Sequence, residues 1–230
     1  MNLYIIVEGS QSEMQIFPAW ISLLAPHMQR VEYAQSATNN NYYLMTGGGI
    51  PSIYHHISNA VAEIIDLHQK GVAHYDYLII SMDTEEENRQ YILQRISETL
   101  AQDNRTLNGF QIELCEQQVC IETWLLGNQK VFKKNPQSME LREFIKFFNV
   151  NDDNPEQMKN INTERFSTTA QFHLKYLKEM LKERNMSYSK SKNGAQDVCT
   201  KSYLDELIKR YKVSGNILTF GRWLALISKI

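Results

Sequence analysis

The stretch Leu3-Tyr4-Ile5-Ile6-Val7-Glu8-Gly9 decides the fold of this chain. Residues 3–7 are five consecutive apolar or aromatic residues, without the alternation of a strand that has one face in water. They therefore predict a strand that is buried on both faces. A carboxylate and a glycine follow the strand directly. We expect Glu8 at the carboxyl end of a central strand, where open α/β sheets bind their ligands.

The opening segment carries two carboxylates with different expected roles. Glu8 has no helix end to cap, and burying a carboxylate without a partner costs on the order of several kcal/mol, so a functional role is favoured. Glu13 forms an S-x-x-E capping box with Ser10, so its favoured role is to cap a helix. The apolar residues of that helix have helical spacing and are Phe17, Trp20, Ile21 and Leu24.

A second strand–helix unit follows. Residues 42–45 predict a short strand, and apolar residues at helical spacing predict a helix over 53–67. Between them lies the glycine loop, Gly47–Gly49, followed by Pro51. Its backbone could bind a phosphate at the helix N-terminus, or it could be a flexible turn; the turn is favoured. The loop lacks the Lys-Ser/Thr of a P-loop.

A third buried strand is predicted over residues 75–82, and it leads into a run of acidic residues. Thr84 and Glu87 have the spacing of a second capping box. Asp83 and Glu85 are left without such a role. They lie two residues apart at a strand end, a spacing that allows both to bind one divalent cation through oxygen ligands.

Two further elements complete the first half of the chain. Residues 110–115 alternate between apolar and polar, which predicts a strand near an edge of the sheet. Residues 119–127 form an apolar, helical stretch that contains one carboxylate, Glu122. This side chain either points outward from a short helix or is a third carboxylate of the metal site; both interpretations stay open.

From about Lys130 onward the pattern changes to polar loops and amphipathic helices. The expected fold class is α/β, a mostly parallel, Rossmann-like sheet flanked by helices, with a helical C-terminal region. We divide the chain into residues 1–130, which hold the sheet, and residues 131–230. Helical spacing in the second part is found at 141–148, 172–181, 204–211 and 223–227.

The charges divide along the same boundary. Residues 1–132 contain 15 Asp and Glu against 6 Lys and Arg, and residues 133–230 contain 18 Lys and Arg against 11 Asp and Glu. An acidic half beside a basic half suits a metal-dependent enzyme that acts on a phosphate polymer, although two unrelated solvated faces give the same balance. The candidate phosphate-contacting residues are Lys190, Lys192, Lys201 and Arg210.

The remaining composition is that of an ordinary globular protein, with 43% hydrophobic and 22% charged residues among 230. There is no run of about 18 apolar residues, so no membrane partner is expected, and we predict a cytoplasmic location. Cys115, Cys120 and Cys199 are an odd number with no common zinc-site spacing, which favours core thiols.

The order of these motifs resembles the Toprim domain, particularly that of OLD-family nucleases and of the small RloB-like and AriB-like proteins of bacterial anti-phage systems. Val7-Glu8-Gly9 matches the strand-end glutamate of that family, and Asp83-x-Glu85 matches its Asp-x-Asp pair, with Glu in the second place. The segment 121–125 is similar to a glutamate-bearing helix of RloB-like chains. The resemblance covers about residues 1–130.

The resemblance implies a Mg²⁺- or Mn²⁺-dependent nuclease that cleaves RNA or DNA, an endonuclease rather than an exonuclease. Glu8, Asp83 and Glu85 would be catalytic, and these three with Glu122 would bind the metal. An ATPase sensor partner and a homodimer are further implied. The alternative is a catalytically idle Toprim-like module that recognises nucleic acid or a partner ATPase. The Asp-x-Glu departure favours this alternative slightly, and the presence of Glu8, Asp83 and Glu122 together argues against it.

Overall fold

The computed structural model describes residues 1–85 and 87–230. Five strands form one sheet in the order β2-β3-β1-β4-β5, and every pairing is parallel. This confirms the expected α/β class, with the first strand at the centre and the strand near residue 112 at an edge. The strands are β1 (Leu3–Val7), β2 (Gln29–Val31), β3 (Asn41–Thr46), β4 (Tyr77–Asp83) and β5 (Gln111–Gln117).

Helices flank the sheet and make up the C-terminal region. They are α1 (Glu13–Leu24), α2 (Ser52–Gln69), α3 (Arg89–Gln102), α4 (Ile121–Leu125), α5 (Met139–Phe147), α6 (Thr169–Lys182), α7 (Lys201–Ser214) and α8 (Leu218–Ile227). Among the helices of the described residues, none is long and apolar enough to cross a membrane.

The unbroken apolar run of β1 is explained by two hydrophobic clusters, one on each face of the sheet. Leu3, Ile5 and Val7 belong to the cluster that contains α1 and the C-terminal helices. Tyr4 and Ile6 belong to the cluster on the opposite face, with α2 and α3. Successive side chains of a strand point to opposite faces, so both sets are buried and alternation is lost.

The C-terminal helices share a core with the α1 face of the sheet. An aromatic group joins the two parts: the ring centroids of Trp20 and Trp223 lie 5.7 Å apart, as do those of Trp124 and Phe220. All four side chains are at most 1% exposed. Residues beyond 130 are thus packed against the sheet-bearing part through buried aromatic side chains.

The predicted capping box of Ser10 and Glu13 is wrong. Helix α1 begins at Glu13 itself, after Ser12, whose side chain makes no capping hydrogen bond. The Glu13 carboxylate instead turns back and accepts from the amide of Gly9 at 3.2 Å. A Cβ on Gly9 would overlap that carboxylate, so a larger residue there would displace the Glu13 side chain.

The second predicted capping box, Thr84 with Glu87, is also wrong. Asn88 caps α3, its side chain accepting from the amide of Tyr91 at 3.0 Å. The Thr84 hydroxyl accepts from the amide of Val119 at 2.8 Å. Thr84 therefore ties the end of β4 to the segment after β5 rather than starting a helix.

The shared core leads to a prediction about folding. Replacing Trp223, which is 1% exposed, by Ala should destabilise the protein by about 3–5 kcal/mol because a large cavity opens between α1 and α8. Val213→Ala, at a side chain that is 79% exposed, should change stability by less than about 0.5 kcal/mol. Urea unfolding followed by circular dichroism measures both. We expect one cooperative transition; separate transitions for the two parts of the chain would contradict the shared core.

Candidate functional site

A cleft of about 480 Å³ lies at the carboxyl edge of the sheet, next to the ends of β1 and β4. In the sheet, β3 lies on one side of β1 and β4 lies on its other side. The strand order therefore reverses next to β1, at this edge of the sheet. The predicted convergence of Glu8, Asp83 and Glu85 holds in the structure. The lining residues are Glu8, Gly9, Ser10, Gln11, Ser12, Glu13, Gly48, Gly49, Asp83, Glu85 and Lys190.

Glu8 is held against the end of β4. Its Oε2 accepts from the backbone amide of Asp83 at 3.0 Å. Burial raises the pKa of Glu8 from 4.5 to about 7, and the charges of Glu13 and Glu85 add to this, while the Asp83 hydrogen bond and Lys190 oppose it. A carboxyl group with a pKa near neutrality can either hold or accept a proton under ordinary conditions.

Asp83 is the last residue of β4. Although the residue as a whole is only partly shielded, its Oδ1 is buried and has no hydrogen-bond partner among residues 1–85 and 87–230. Burial raises its pKa well above the ordinary range, and the negative charges of Glu13 and Glu8 act in the same direction. A buried, unpaired carboxylate oxygen in a native structure calls for a partner that protein atoms do not supply.

Glu85 lies at the exposed side of the cleft. Its φ of +48° is a backbone conformation that residues other than glycine rarely adopt. Val119, with φ of +65°, is a second such residue. The two face one another, since the amide of Glu85 donates to the carbonyl of Val119 at 3.0 Å. The turn that carries Glu85 is thus fixed to the segment after β5 rather than free.

Glu122 lies on α4 and is fully buried, which contradicts the interpretation that it points outward. Its Oε1 accepts from the Tyr188 hydroxyl at 2.8 Å and pairs with the Lys190 ammonium at 3.2 Å. Its Oε2 has no hydrogen-bond partner in the described part of the chain. Glu122 does not itself line the cleft, but Lys190 connects it to the cleft.

Lys190 has a different position from the one expected for an outer phosphate contact. Its side chain is 46% exposed and pairs with the fully buried Glu122. Burial by itself would lower the pKa of Lys190, but the charges of Glu122 and Asp83 outweigh burial and raise it. Lys190 therefore stays charged and is the counter-charge of the carboxylates.

The other predicted phosphate contacts lie outside the cleft. Lys192 is exposed, and Lys201 is exposed in an ion pair with Asp205 at 2.7 Å. Arg210 is only 2% exposed, and its guanidinium donates to backbone carbonyls of Val150, Asn151 and Asp153. This replaces its predicted role as a nucleic-acid contact with a structural one, holding the loop near residue 151.

The glycine loop takes the turn role that the sequence favoured. Gly48 and Gly49 line the cleft with φ of +69° and +84°. The three amides of Gly47–Gly49 donate, in order, to the Val7 carbonyl, the Thr46 hydroxyl and the Glu8 carbonyl, at 2.7, 3.1 and 3.2 Å. Because these donors are used within the protein, the loop supports the Glu8 backbone rather than forming a ready anion site.

Sequence reasoning did not assign Glu13, Ser12 and Tyr188 to the site. Glu13 is 5% exposed, and burial together with the charge of Glu122 raises its pKa. The hydroxyls of Ser12 and Tyr188 lie 2.9 Å apart. For Glu13 the available signal was its place near Glu8 after a strand, which the capping pattern masked. For Tyr188 the available signal was the presence of an aromatic residue in an otherwise polar, basic run.

Four carboxylates line the cleft, those of Glu8, Glu13, Asp83 and Glu85, and carboxylate oxygens are the ligands that hard divalent cations prefer. Within residues 1–85 and 87–230, however, no group of three or more His, Cys, Asp or Glu side chains has the arrangement to hold a metal ion. The carboxylates nevertheless line one cleft.

Comparison with known proteins finds no match to this chain among family models, curated proteins or solved structures. The fold and the cleft define an α/β protein with a cluster of carboxylates at the topological switch point of a parallel sheet.

The raised pKa of Glu8 predicts a pH effect on stability in chelator. Between about pH 4.5 and pH 7 the folded state keeps a proton on Glu8 that the unfolded state has lost, so stability falls as pH rises through this window. Glu8→Gln should remove a fall on the order of 2 kcal/mol. Urea titrations at several pH values measure the difference, and exposed Glu32→Gln is the control. Equal pH slopes for wild type and Glu8→Gln would contradict the raised pKa.

Proposed function

We propose that this protein is a divalent-metal-dependent nuclease of the Toprim type that cleaves the phosphodiester backbone of RNA or DNA. The observation that carries the proposal is the meeting of Glu8, Asp83 and Glu85 in one cleft at the carboxyl edge of the sheet. The motifs that resemble the Toprim family are the ones that supply these side chains. An endonuclease suits an open cleft on the protein surface.

Mg²⁺ or Mn²⁺ is the proposed cofactor, and two observations test its fit. The buried oxygens Asp83 Oδ1 and Glu122 Oε2 have no partner among the described residues, and four carboxylates are among the residues that line the cleft. Glu8, Asp83 and Glu85 would hold the metal, with Glu122 adjacent. When bound, such a cation supplies charge neutralisation at a phosphate and a more acidic water molecule.

The chain's own residues have separable roles in this proposal. Glu8 either completes the metal shell or, from outside that shell, accepts a proton from the attacking water, and the Asp83 amide fixes the position of its carboxylate. Tyr188 orients Glu122 through a 2.8 Å hydrogen bond. Lys190 carries positive charge into an otherwise acidic cleft, where it reduces the repulsion of a phosphate.

Biological context is proposed from the resemblance of the motifs alone. It favours an effector of bacterial anti-phage defence in the cytoplasm, with an ATPase sensor as partner. The exposed Lys192 and Lys201 are proposed to hold the nucleic-acid backbone outside the cleft.

A second candidate is a catalytically idle module that recognises nucleic acid or a partner ATPase. Two observations favour it: Lys190 already pairs with Glu122, and the described carboxylates do not form a three-ligand metal group. In this case the ammonium of Lys190 would remain the permanent counter-charge of the carboxylates in the cleft. Metal-dependent loss of nucleic acid separates the two candidates.

The decisive variant is Asp83→Asn, which keeps the side-chain volume but removes the charge that a hard cation needs. We expect it to fold, to melt slightly above wild type in chelator because carboxylate repulsion is reduced, and to lose metal-dependent cleavage by at least about 100-fold. The assay uses labelled single- and double-stranded RNA and DNA with Mg²⁺ or Mn²⁺. Asp66→Asn, which alters only an exposed Asp66–Lys70 pair, is the control.

The outcome that contradicts the nuclease proposal is metal-dependent cleavage that is unchanged in Asp83→Asn. Absence of cleavage in wild type, together with metal-independent binding of the same nucleic acids, would instead favour the binding module.

The proposed contacts of Lys192 and Lys201 with the nucleic-acid backbone predict that binding depends on salt concentration. Replacing Lys192 and Lys201 together by Ala should weaken nucleic-acid binding and reduce the slope of log affinity against log salt by up to about 2, because two phosphate contacts are lost. Fluorescence anisotropy at several salt concentrations measures the slope. The same change at the exposed Lys70 and Lys134 is the control. Equal slopes for the two double variants would mean that Lys192 and Lys201 are ordinary solvated surface.

A further inference from the structure

The carboxylates of the cleft already have a positively charged side chain of the protein beside them. Among the lining residues of the cleft in the described part of the chain, Lys190 is the one with a positive side chain. Its ammonium pairs with Glu122 at 3.2 Å, and its charge opposes the negative charges acting on Glu8 and Asp83. Asp83 Oδ1 and Glu122 Oε2 nevertheless stay without a partner. One ammonium is thus shared by more carboxylates than it can contact.

Lys190 is carried by a small, self-contained turn, residues 189–194. The amide of Ser189 donates to the Gly194 carbonyl, and the amide of Gly194 donates to the Ser191 carbonyl, both at 2.9 Å. A Cβ on Gly194 would overlap Ser189, so the turn closes tightly on itself. These hydrogen bonds lie within the turn, and the residues on either side of it, Tyr188 and Ala195, are buried in the core.

Few contacts fasten this turn to the sheet-bearing part of the protein. Gln15 on α1 donates to the Ser191 carbonyl at 2.9 Å and accepts from the amide of Ala195 at 3.2 Å. The Lys190–Glu122 ion pair is a further link. Just before the turn, the buried Tyr188 hydroxyl holds the chain to Ser12 and Glu122, so the base of the turn is fixed and its tip is held by the weaker contacts. The Gln15 bond to Ser191 and the Lys190 side chain are both reached by solvent, so their release costs little compared with opening a buried contact.

A divalent cation and the Lys190 ammonium need the same carboxylate charge. Placed together in one partly buried cluster they repel one another, and this repulsion is stronger than it would be in water.

We propose that Lys190 is the resident cation of the carboxylate cluster, and that a divalent cation binds by displacing its ammonium and releasing the turn 189–194. The inference rests on the metal site of the proposed function. Metal occupancy and the position of this turn are then linked. A displaced Lys190 is free to meet an incoming phosphate at the mouth of the cleft, so metal loading prepares the site for its anionic substrate.

The test measures Mn²⁺ binding to the full chain by isothermal titration calorimetry, without any substrate. Lys190→Met should bind Mn²⁺ on the order of tenfold more tightly than wild type, because the competing charge is gone. Lys190→Arg keeps the charge and should stay close to wild type. Lys134→Met, the same charge change at an exposed residue outside the cleft, is the matched control.

Hydrogen exchange on wild type gives a measurement that needs no variant to fold. Added Mn²⁺ should speed exchange of the amides in residues 189–194, whereas those of β1 should exchange no faster, because metal binding stabilises the folded state. Equal Mn²⁺ affinity in wild type and Lys190→Met, or slower exchange of the turn in Mn²⁺, would overturn this inference and leave the metal site standing. Absence of Mn²⁺ binding to both proteins would overturn the metal site of the proposed function itself.

Discussion

The burial of negative charge at one edge of the sheet is the constraint on which the rest of this structure depends. Glu8 and Asp83 lie at adjacent positions at the ends of β1 and β4. Glu13 and Glu122, on helices, are two further carboxylates nearby. Clustered carboxylates destabilise a fold unless protons, cations or donors compensate them. Here all three compensate: a proton held by a raised pKa, backbone donors, and the ammonium of Lys190.

This constraint gives the C-terminal region a chemical role as well as a structural one. Its helices cover the α1 face of the sheet, and the segment after α6 supplies Tyr188 and Lys190 to the carboxylates. An acidic cleft repels a phosphate polymer until cations enter it. A divalent cation at the carboxylates, with basic residues around them, is the arrangement that would reverse this repulsion, and both halves of the chain are needed for it.

The sequence was sufficient for β1, β3, β4 and β5 and for the carboxylates at strand ends, but not for β2, two of whose three residues are polar and exposed. A run such as residues 3–7 has no polar position, so only a strand covered on both faces accommodates it. Glu13 was misjudged because a cap and a site carboxylate follow the same local S-x-x-E pattern. Tyr188 and Ser12 are 176 residues apart, and no local pattern predicts a contact that tertiary packing creates.

The most direct test of the central claim is anomalous diffraction from crystals of the protein soaked in Mn²⁺. We expect a peak in the cleft, within about 2–2.5 Å of carboxylate oxygens of Asp83 and Glu8. Lys190 should then lie farther from Glu122 than its present 3.2 Å. A fully soaked crystal with no peak at the cleft, or with Mn²⁺ bound only elsewhere, would contradict it.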